Sequence, residues 1–403
     1  VISTTADTPL VATERRSFDA GPALTAIVIV ASAAYLNAAV NWRQSALFLV
    51  GAFAGVVLYH AAFGFTSSWR VFISDRRGAG LRAQMLMLAV TCAVFFPLLS
   101  AGSFFGQPLR GSISPPGVAV LAGAFIFGIG MQLGGGCASG TLYSAGGGST
   151  RMGIVLAAFI VGSLIGTAHT QWWSSLPAWT PTSVVNLYGP WLALGLSLAV
   201  FAAIAWLTTV AERRHHGRLV GRVPSSGSRW LRGPWPLVAG ALGLAVVNVA
   251  TLTIGGRPWG VTSAFALWGA KGAKAFGLPV ESWPYWQAPA QAAALEASVL
   301  TDVTSVMDFG IILGALLAAL LAGRFAPARH IPARSVIAAL VGGLLLGYGA
   351  RVAYGCNIGA YFSGIASGSL HGWMWLPAAF AGNVLGTRLR PFFGLNVERT
   401  PRC

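Results

Sequence analysis

The windows 22–40, 45–63, 83–109 and 188–210 each run for 19 residues or more without a charged side chain. About 20 apolar residues in a helix cross a hydrocarbon core about 30 Å thick. Such uniform runs do not suit a soluble helix, which buries one stripe and wets the other. Charged residues make up only 9% of the chain, against about 25% in soluble domains. A membrane β-barrel would show short segments of alternating polarity, and the sequence has none. The expected fold class is an all-α polytopic membrane protein.

Ten windows read as spans: 22–40, 45–63, 81–101, 115–133, 152–170, 188–209, 235–254, 305–323, 335–352 and 373–388. Four stretches beside them are too rich in Gly, Ser or Thr for plain spanning helices: 64–78, 134–150, 257–277 and 353–370. Irregular backbone at membrane depth persists only where protein or a cavity supports it. These four stretches therefore predict re-entrant half-helices. A surface loop serves equally well for 64–78 and 257–277, which carry several charges. The other two carry none.

The formal charge of +16 does not point to nucleic acid, because the basic residues sit in short loops and form no stripe interleaved with aromatics. Ten spans put both termini on one side. That side receives 20 of the 26 Lys and Arg residues, and the other receives only Arg43, Arg110, Arg257, Lys271 and Lys274. The bias predicts cytoplasmic termini. Arg351 falls at the end of a span. Trp172, Trp173, Trp179, Trp283, Tyr285 and Trp286 collect on the outer side, as in an interface belt. Residues 1–20 are polar and carry no apolar run before a small-residue cleavage site, so no cleavable leader is expected. Four cysteines, none in a C-x-x-C pair, suggest neither a disulfide framework nor a zinc site.

The stretch "GAFIFGIGMQLGGGCASG" (123–140) aligns with "GGLLLGYGARVAYGCNIG" (342–359), and six positions match, including Cys137 with Cys356. "AAFIVGSLIGT" (157–167) then resembles "AAFAGNVLGT" (378–387), and "GFTSS" (64–68) resembles "GVTSA" (260–264). A single span, 188–209, separates the copies and would flip the second. The expected architecture is two inverted-topology repeats, common in transporters. The chain then divides into a tail and first helix (1–44), repeat one (45–170), an outer loop with spacer helix and basic loop (171–234), repeat two (235–388) and a cytoplasmic tail (389–403).

Short helix-capable stretches begin near Ala138 and Asn357, which places Cys137 and Cys356 at half-helix N-termini. Free N–H groups and the dipole make such ends attractive to anions. Gly136, Gly140, Gly355 and Gly359 would let backbone approach a ligand or a neighbouring helix. Serine would serve a hard oxyanion as well, so a thiol suggests a ligand with a soft atom such as sulfur. Free cysteines are often inert packing residues, and Cys92 and Cys403 are read that way. The equivalent repeat positions favour function for the other two. Arg351, a cation at membrane depth, would attract an anion, fix the loop or snorkel. Thr66, Ser67, Thr262 and Ser263 would line an anion path or cap half-helices. Asn357 is a candidate polar contact. His60 and His371 have no repeat partners and read as structural.

"FGIGMQLGGGCASG" (127–140), taken with "GYGARVAYGCNIG" (347–359), resembles the paired signatures of the YeeE/YedE family of sulfur-compound transporters. The resemblance covers roughly 45–170 and 235–388. It implies uptake of thiosulfate or a related sulfur compound across a bacterial inner membrane, with thiols that contact the passing ion. Cys137 and Cys356 would inherit that role. Family members can carry a further pathway cysteine near the first broken segment, where this chain has Thr66 and Ser67. Membrane lipid surrounds such a protein, a cytoplasmic sulfur-carrier partner follows from the likeness alone, and no cofactor or metal is expected. Three rivals stand beside this: a selenium-compound transporter, a membrane sulfurtransferase that passes sulfane sulfur from a cysteine to a carrier, and a soft-metal channel. Neither thiol has an obvious activating base beside it, and two cysteines without carboxylates or Met clusters make a poor metal path.

Overall fold

A computed structural model of the chain describes residues 20–219 and 230–398. Residues 1–19 of the N-terminal tail, 220–229 of the basic loop and 399–403, with Cys403, lie outside the described residues. The fold is almost entirely helical. In chain order the first half holds α1 (Gly21–Ala39), α2 (Trp42–Ala61), α3 (Phe65–Asp75), α4 (Ala79–Ala101), α5 (Val118–Gly134), α6 (Ala138–Gly146), α7 (Thr150–Ala168) and the short α8 (Thr170–Ser174). A two-residue β-hairpin, Ser103–Phe104 with Gln107–Pro108, follows α4. Then come α9 (Val184–His216), α10 (Leu237–Gly255), α11 (Thr262–Ala275), the short α12 (Pro284–Gln287) and α13 (Pro289–Glu296), α14 (Val303–Leu321) and α15 (Ala333–Val352). A π-helical turn (Asn357–Phe362) leads into α16 (Ser363–Ala366) and α17 (Leu370–Leu389).

Local chemistry sets many of these boundaries. The Asn41 side chain accepts from Gln44 N at 3.0 Å and opens α2, and Asp302 accepts from Ser305 N at 2.8 Å and opens α14. Pro236 and Pro332 stand at the N-caps of α10 and α15, where a missing N–H costs nothing. Gly189, at φ 76°, precedes Pro190 and kinks α9.

All ten expected windows are helical, in α1, α2, α4, α5, α7, α9, α10, α14, α15 and α17. Among the described residues, nine helical segments are long and apolar enough to cross a membrane. Three of them run on through a break into the next short element: α2 into α3, α5 into α6, and α15 into α16. The tenth, α17, has the length, but it carries His371, Pro377, Asn383 and Arg388 and is not among the nine.

Backbone-to-backbone packing at glycines holds the bundle together. Helices α5 and α15 cross antiparallel. A Cβ on Gly130 would lie 2.7 Å from Leu346 N and 2.9 Å from Gly342 O, and one on Gly123 would lie 2.6 Å from Ala353 N and 2.9 Å from Gly349 O. Helix α7 packs on α15 at Gly162 and Gly347, and α17 packs on α5 at Gly128 and Gly382. Helix α2 meets α14 along Gly51, Gly55, Gly310 and Gly314. Lipid-facing helices gain little from hydrophobic burial, so close approach and dispersion must hold them, and small residues permit that. Helix α1 sits on α2 and α14, and α9 sits on α4.

Candidate functional site

Helix α5 ends at Gly134, and its C-cap Gly135, at φ 86°, is a left-handed stop that glycine adopts without strain. Gly136 follows, and then Cys137 takes an extended conformation (φ −86°, ψ −171°) as the N-cap of α6. Its Sγ accepts from Gly140 N at 3.4 Å and lies 3.5 Å from Ser139 Oγ. The second copy repeats the geometry. Helix α15 ends at Val352, Gly355 turns at φ 151°, and Cys356 (φ −100°, ψ −165°) caps the π-helical turn, with Sγ accepting from Ile358 N at 3.4 Å. Both thiols are buried. Helix α6 packs against the π-helical turn, and Cys356 lies within electrostatic reach of Cys137. Each sulfur is thus oriented by an orphan amide of a helix start. The thiol hydrogen of Cys356 is left for another acceptor.

The loops that carry the thiols are held differently. The last carbonyls of α5 are capped by arginines: Arg151 donates to Leu133 O and Gly134 O, and Arg390 donates to Gln132 O at 2.6 Å. Guanidinium groups suit a helix C-terminus, where carbonyls lack partners. At the second loop, Trp375 Nε1 donates to Gly355 O at 3.2 Å. Arg70 grips Glu398 through two hydrogen bonds, 2.7 and 2.6 Å, which brings the end of the described chain to the same arginine cluster.

The other candidates fall into two groups. Near the thiols, Asn357 is fully buried and neither its Nδ2 nor its Oδ1 has a protein partner. A Cβ on Gly140 would touch Cys137 Sγ at 3.4 Å, whereas one on Gly359 would meet nothing within 4 Å. Where α3 meets α5, Thr66 Oγ1 is buried and unpartnered, while Thr66 O accepts from Gln132 Nε2 at 3.2 Å. Farther along, Ser67 Oγ donates to Gly64 O at 3.3 Å and Ser263 Oγ to Thr304 Oγ1 at 3.0 Å. Thr262 is buried at the first turn of α11. No side chain caps α3 or α11, so these hydroxyls do not serve the capping role. Arg351 is engaged by Tyr285, whose hydroxyl accepts from Nη1 at 3.0 Å and whose ring lies 5.2 Å under the guanidinium. Cys92 Sγ lies 3.9 Å from Ile365 O, in packed surroundings.

Two features escaped the sequence. One is a run of contacting rings through the core, Phe65, Tyr361, Trp375, Phe127, Phe159, Phe265 and Trp268. No periodicity signals it, because its members come from six elements. The other is Asp308, fully buried in α14 with neither carboxylate oxygen hydrogen-bonded. An acid inside an apolar window was the available signal. Among the described residues, one trio could hold a metal: Asp75, His215 and His216. Asp75 pairs with Arg77 at 2.7 Å, His216 Nε2 lies 2.7 Å from Asp75 O, and neither Cys137 nor Cys356 belongs to the trio.

Comparison with known proteins gives the chain's family. Residues 60–385 match a family model described as Sulphur transport. The probable transporter YedE of Escherichia coli is 32% identical over 171 residues, which is 42% of this chain and 42% of that protein. The match thus spans less than half of the YedE relative's length. The thiosulfate transporter TsuA of Spirochaeta thermophila is 26% identical over 347 residues, covering 81% of this chain and 92% of that protein. The thiosulfate transporter TsuA of Escherichia coli is 25% identical over 346 residues, covering 81% and 89%.

Proposed function

Because the chain belongs to the Sulphur transport family, we propose that it carries thiosulfate or a related sulfur-containing anion across the bacterial inner membrane, through a constriction flanked by Cys137 and Cys356. One observation carries the proposal: both thiols are N-caps of short buried elements that pack against each other, with matching backbone angles. Each sulfur accepts an amide N–H; the S–H of Cys356 is left as a donor, and Cys137 shares a hydrogen bond with Ser139 Oγ that can be exchanged for a ligand. A soft, polarizable sulfur atom on the ligand suits that donor better than a hard oxyanion does. The helix starts favour negative charge without placing a fixed cation that would hold the anion too tightly. Asn357, with its amide free, supplies a further polar contact.

The path crosses the interface of two inverted repeats. The glycine contacts support this. Gly123 against Gly349 and Gly130 against Gly342 are one contact seen twice, once the copies are exchanged. The pair α7–α15 exchanges with α17–α5 in the same way. By that exchange α9 is the counterpart of α1, since α1 lies on α14 and α9 on α4. The repeats therefore extend over α1–α7 and α9–α17, and α9 is not a lone spacer. Five long helices per copy still invert the second relative to the first. The short helices α3, α6 and α11 and the π-helical turn with α16 are the re-entrant parts. With both termini cytoplasmic, the anion enters from outside, meets Cys356, then Cys137, and leaves to the cytoplasm.

A sulfurtransferase would need a base to make a thiolate. The polar partners of Cys137 Sγ are Ser139 Oγ and Gly140 N, and that of Cys356 Sγ is Ile358 N. None of these is a base. The test is uptake of labelled thiosulfate by cells that express the chain, challenged with sulfate, sulfite, selenite and tetrathionate. Competition by compounds with a terminal sulfur, and not by sulfate, is expected. Equal competition by sulfate would overturn the choice of ligand, and no uptake would overturn transport of thiosulfate.

A further inference from the structure

Asp308 is the one acid among the described residues that is fully buried with both carboxylate oxygens unpartnered. A carboxylate taken out of water is costly unless a cation or several donors hold it, and an ionisable group inside a membrane bundle marks a pathway more often than a strut. Asp308 stands where a pathway would need it. Thr304, one turn earlier on α14, bonds Ser263 of α11, and the Ile312 carbonyl, one turn later, lies where a Cβ on Gly146 of α6 would strike it. Residues four apart share a helix face, so Asp308 looks between α11 and the helix that Cys137 caps. It also lies within electrostatic reach of Cys356.

Among the described residues, no cationic side chain pairs with Asp308. Helix α1 brings only the exposed Tyr35, and α2 brings Arg43, stacked on Trp42, and Tyr59 and His60 near its far end. Helix α6 brings Tyr143 and its cap Cys137. Lys271 of α11 is bound to Leu295 O and Ala297 O, and Lys274 to Glu296. Ahead of α14, Asp302 lies 3.6 Å from Arg257. The fold does not require an acid here either. Ile365 O meets Cys92 on α4 much as α6 meets Ile312 on α14, and the α4 position one turn before Cys92 is Leu88, equally buried.

We infer that Asp308 is a proton-binding site through which the chain couples inward movement of the anion to inward movement of H+. An ionised Asp308 within electrostatic reach of Cys356 would repel an arriving anion, and the neutral acid would not. The carboxylate takes a proton from the water of the outer side before the anion passes Cys356. It gives that proton to the water of the inner side after the anion has left. No covalent bond changes other than the O–H. One charge of the anion is compensated in each passage, which eases entry into a negative cell interior.

This rests on the proposed transport of a sulfur anion, so the experiment tests the two separately. The full chain is reconstituted in vesicles loaded with a trapped pH dye. Exchange of labelled thiosulfate at equal pH on both sides is measured first in the wild type. Its absence overturns the transport reading itself. Net uptake is then driven by an acid exterior, and lumenal acidification is read per thiosulfate taken up. The wild type is expected to acidify the lumen in proportion to uptake. Asp308→Asn, which cannot take up a proton, is expected to abolish acidification coupled to thiosulfate uptake. Asp308→Glu is expected to restore coupling with a displaced pH profile, a change a packing residue would not produce. Exchange without acidification in the wild type, an Asp308→Asn ratio equal to wild type, or an Asp308→Glu variant with an unmoved profile would each overturn the inference.

Discussion

The two cysteine turns start alike and then diverge. After Cys137 the chain forms nine residues of regular α-helix, α6. After Cys356 it forms a π-helical turn before α16. A π-turn is wider than an α-turn and is frequent at functional sites. The side chain after the thiol is Ala138 in one copy and the unpartnered Asn357 in the other. Gly140 faces Cys137 closely, while Gly359 faces open space. The loop before Cys137 is clamped by Arg151 and Arg390, and the loop before Cys356 is held by one indole N–H. Equivalent repeat positions thus keep the thiol and its backbone but not the space around it. The Cys137 turn is the rigid, charge-braced side, and the Cys356 turn is the roomier, polar side.

The largest test of this contrast removes the thiols one at a time. Cys356→Ala and Cys137→Ala are each expected to lower thiosulfate uptake by about tenfold or more, the scale of one lost hydrogen bond to a charged ligand, at equal membrane expression. Near-normal uptake by both would break the comparison at its root. The glycines come next. Gly359→Ala is expected to leave the melting temperature near wild type yet lower uptake, because its methyl group would enter open space. Gly355→Ala is expected to lower the melting temperature, at a cost of about 1–3 kcal/mol. Its φ of 151° is unsuited to a side chain, and a Cβ would lie 2.8 Å from Ala360 N. Equal melting temperatures for the two variants would contradict the geometry of the second turn.

A smaller effect is expected from Asn357→Ala. The amide has no protein partner, so no protein hydrogen bond is lost, and stability should not fall by the ~1 kcal/mol that loss of a made hydrogen bond costs. The apparent KM for uptake should rise. The smallest effect concerns the braced side. Arg70, hydrogen-bonded to Glu398, holds that carboxyl below the usual range. A depressed folded-state pKa stabilises above the unfolded pKa, and the contribution is lost as pH falls through the folded value. Glu398→Gln should therefore lower the melting temperature slightly at pH 7, and the difference should vanish in acid. The carboxylate is partly exposed, so solvent screens the pair.

The all-helical membrane fold was legible because charge-free windows of spanning length have no other stable use. The Cys137 and Cys356 caps were legible because glycine turns, a polar residue and a helix-capable run recur together. The packing of α9 on α4 was not, since a helix that lies on the outside of a bundle reads the same whichever neighbour it lies against. Asp308 was easy to pass over because of scale: one acid hardly alters the hydropathy of a 19-residue helix, yet its carboxyl has no hydrogen-bond partner among the described residues. The arginine brace was hidden because Arg151 and Arg390 read from sequence only as loop charges. Their bonds to Leu133, Gly134 and Gln132 depend on elements far apart in the chain.

Helix α17 has a consequence for biogenesis. Asn383 finds partners in Gln132 and in its own Ala379 carbonyl, and Trp375 finds one in Gly355. Alone in hydrocarbon, two of those three bonds would be missing. An insertion machinery that weighs one segment at a time would rate α17 poorly, and only a bundle that already contains α5 offers it a berth. Helix α17 follows α5 in the chain, so the company it needs is already made when it emerges, and its berth rather than its own hydropathy decides when it enters the lipid.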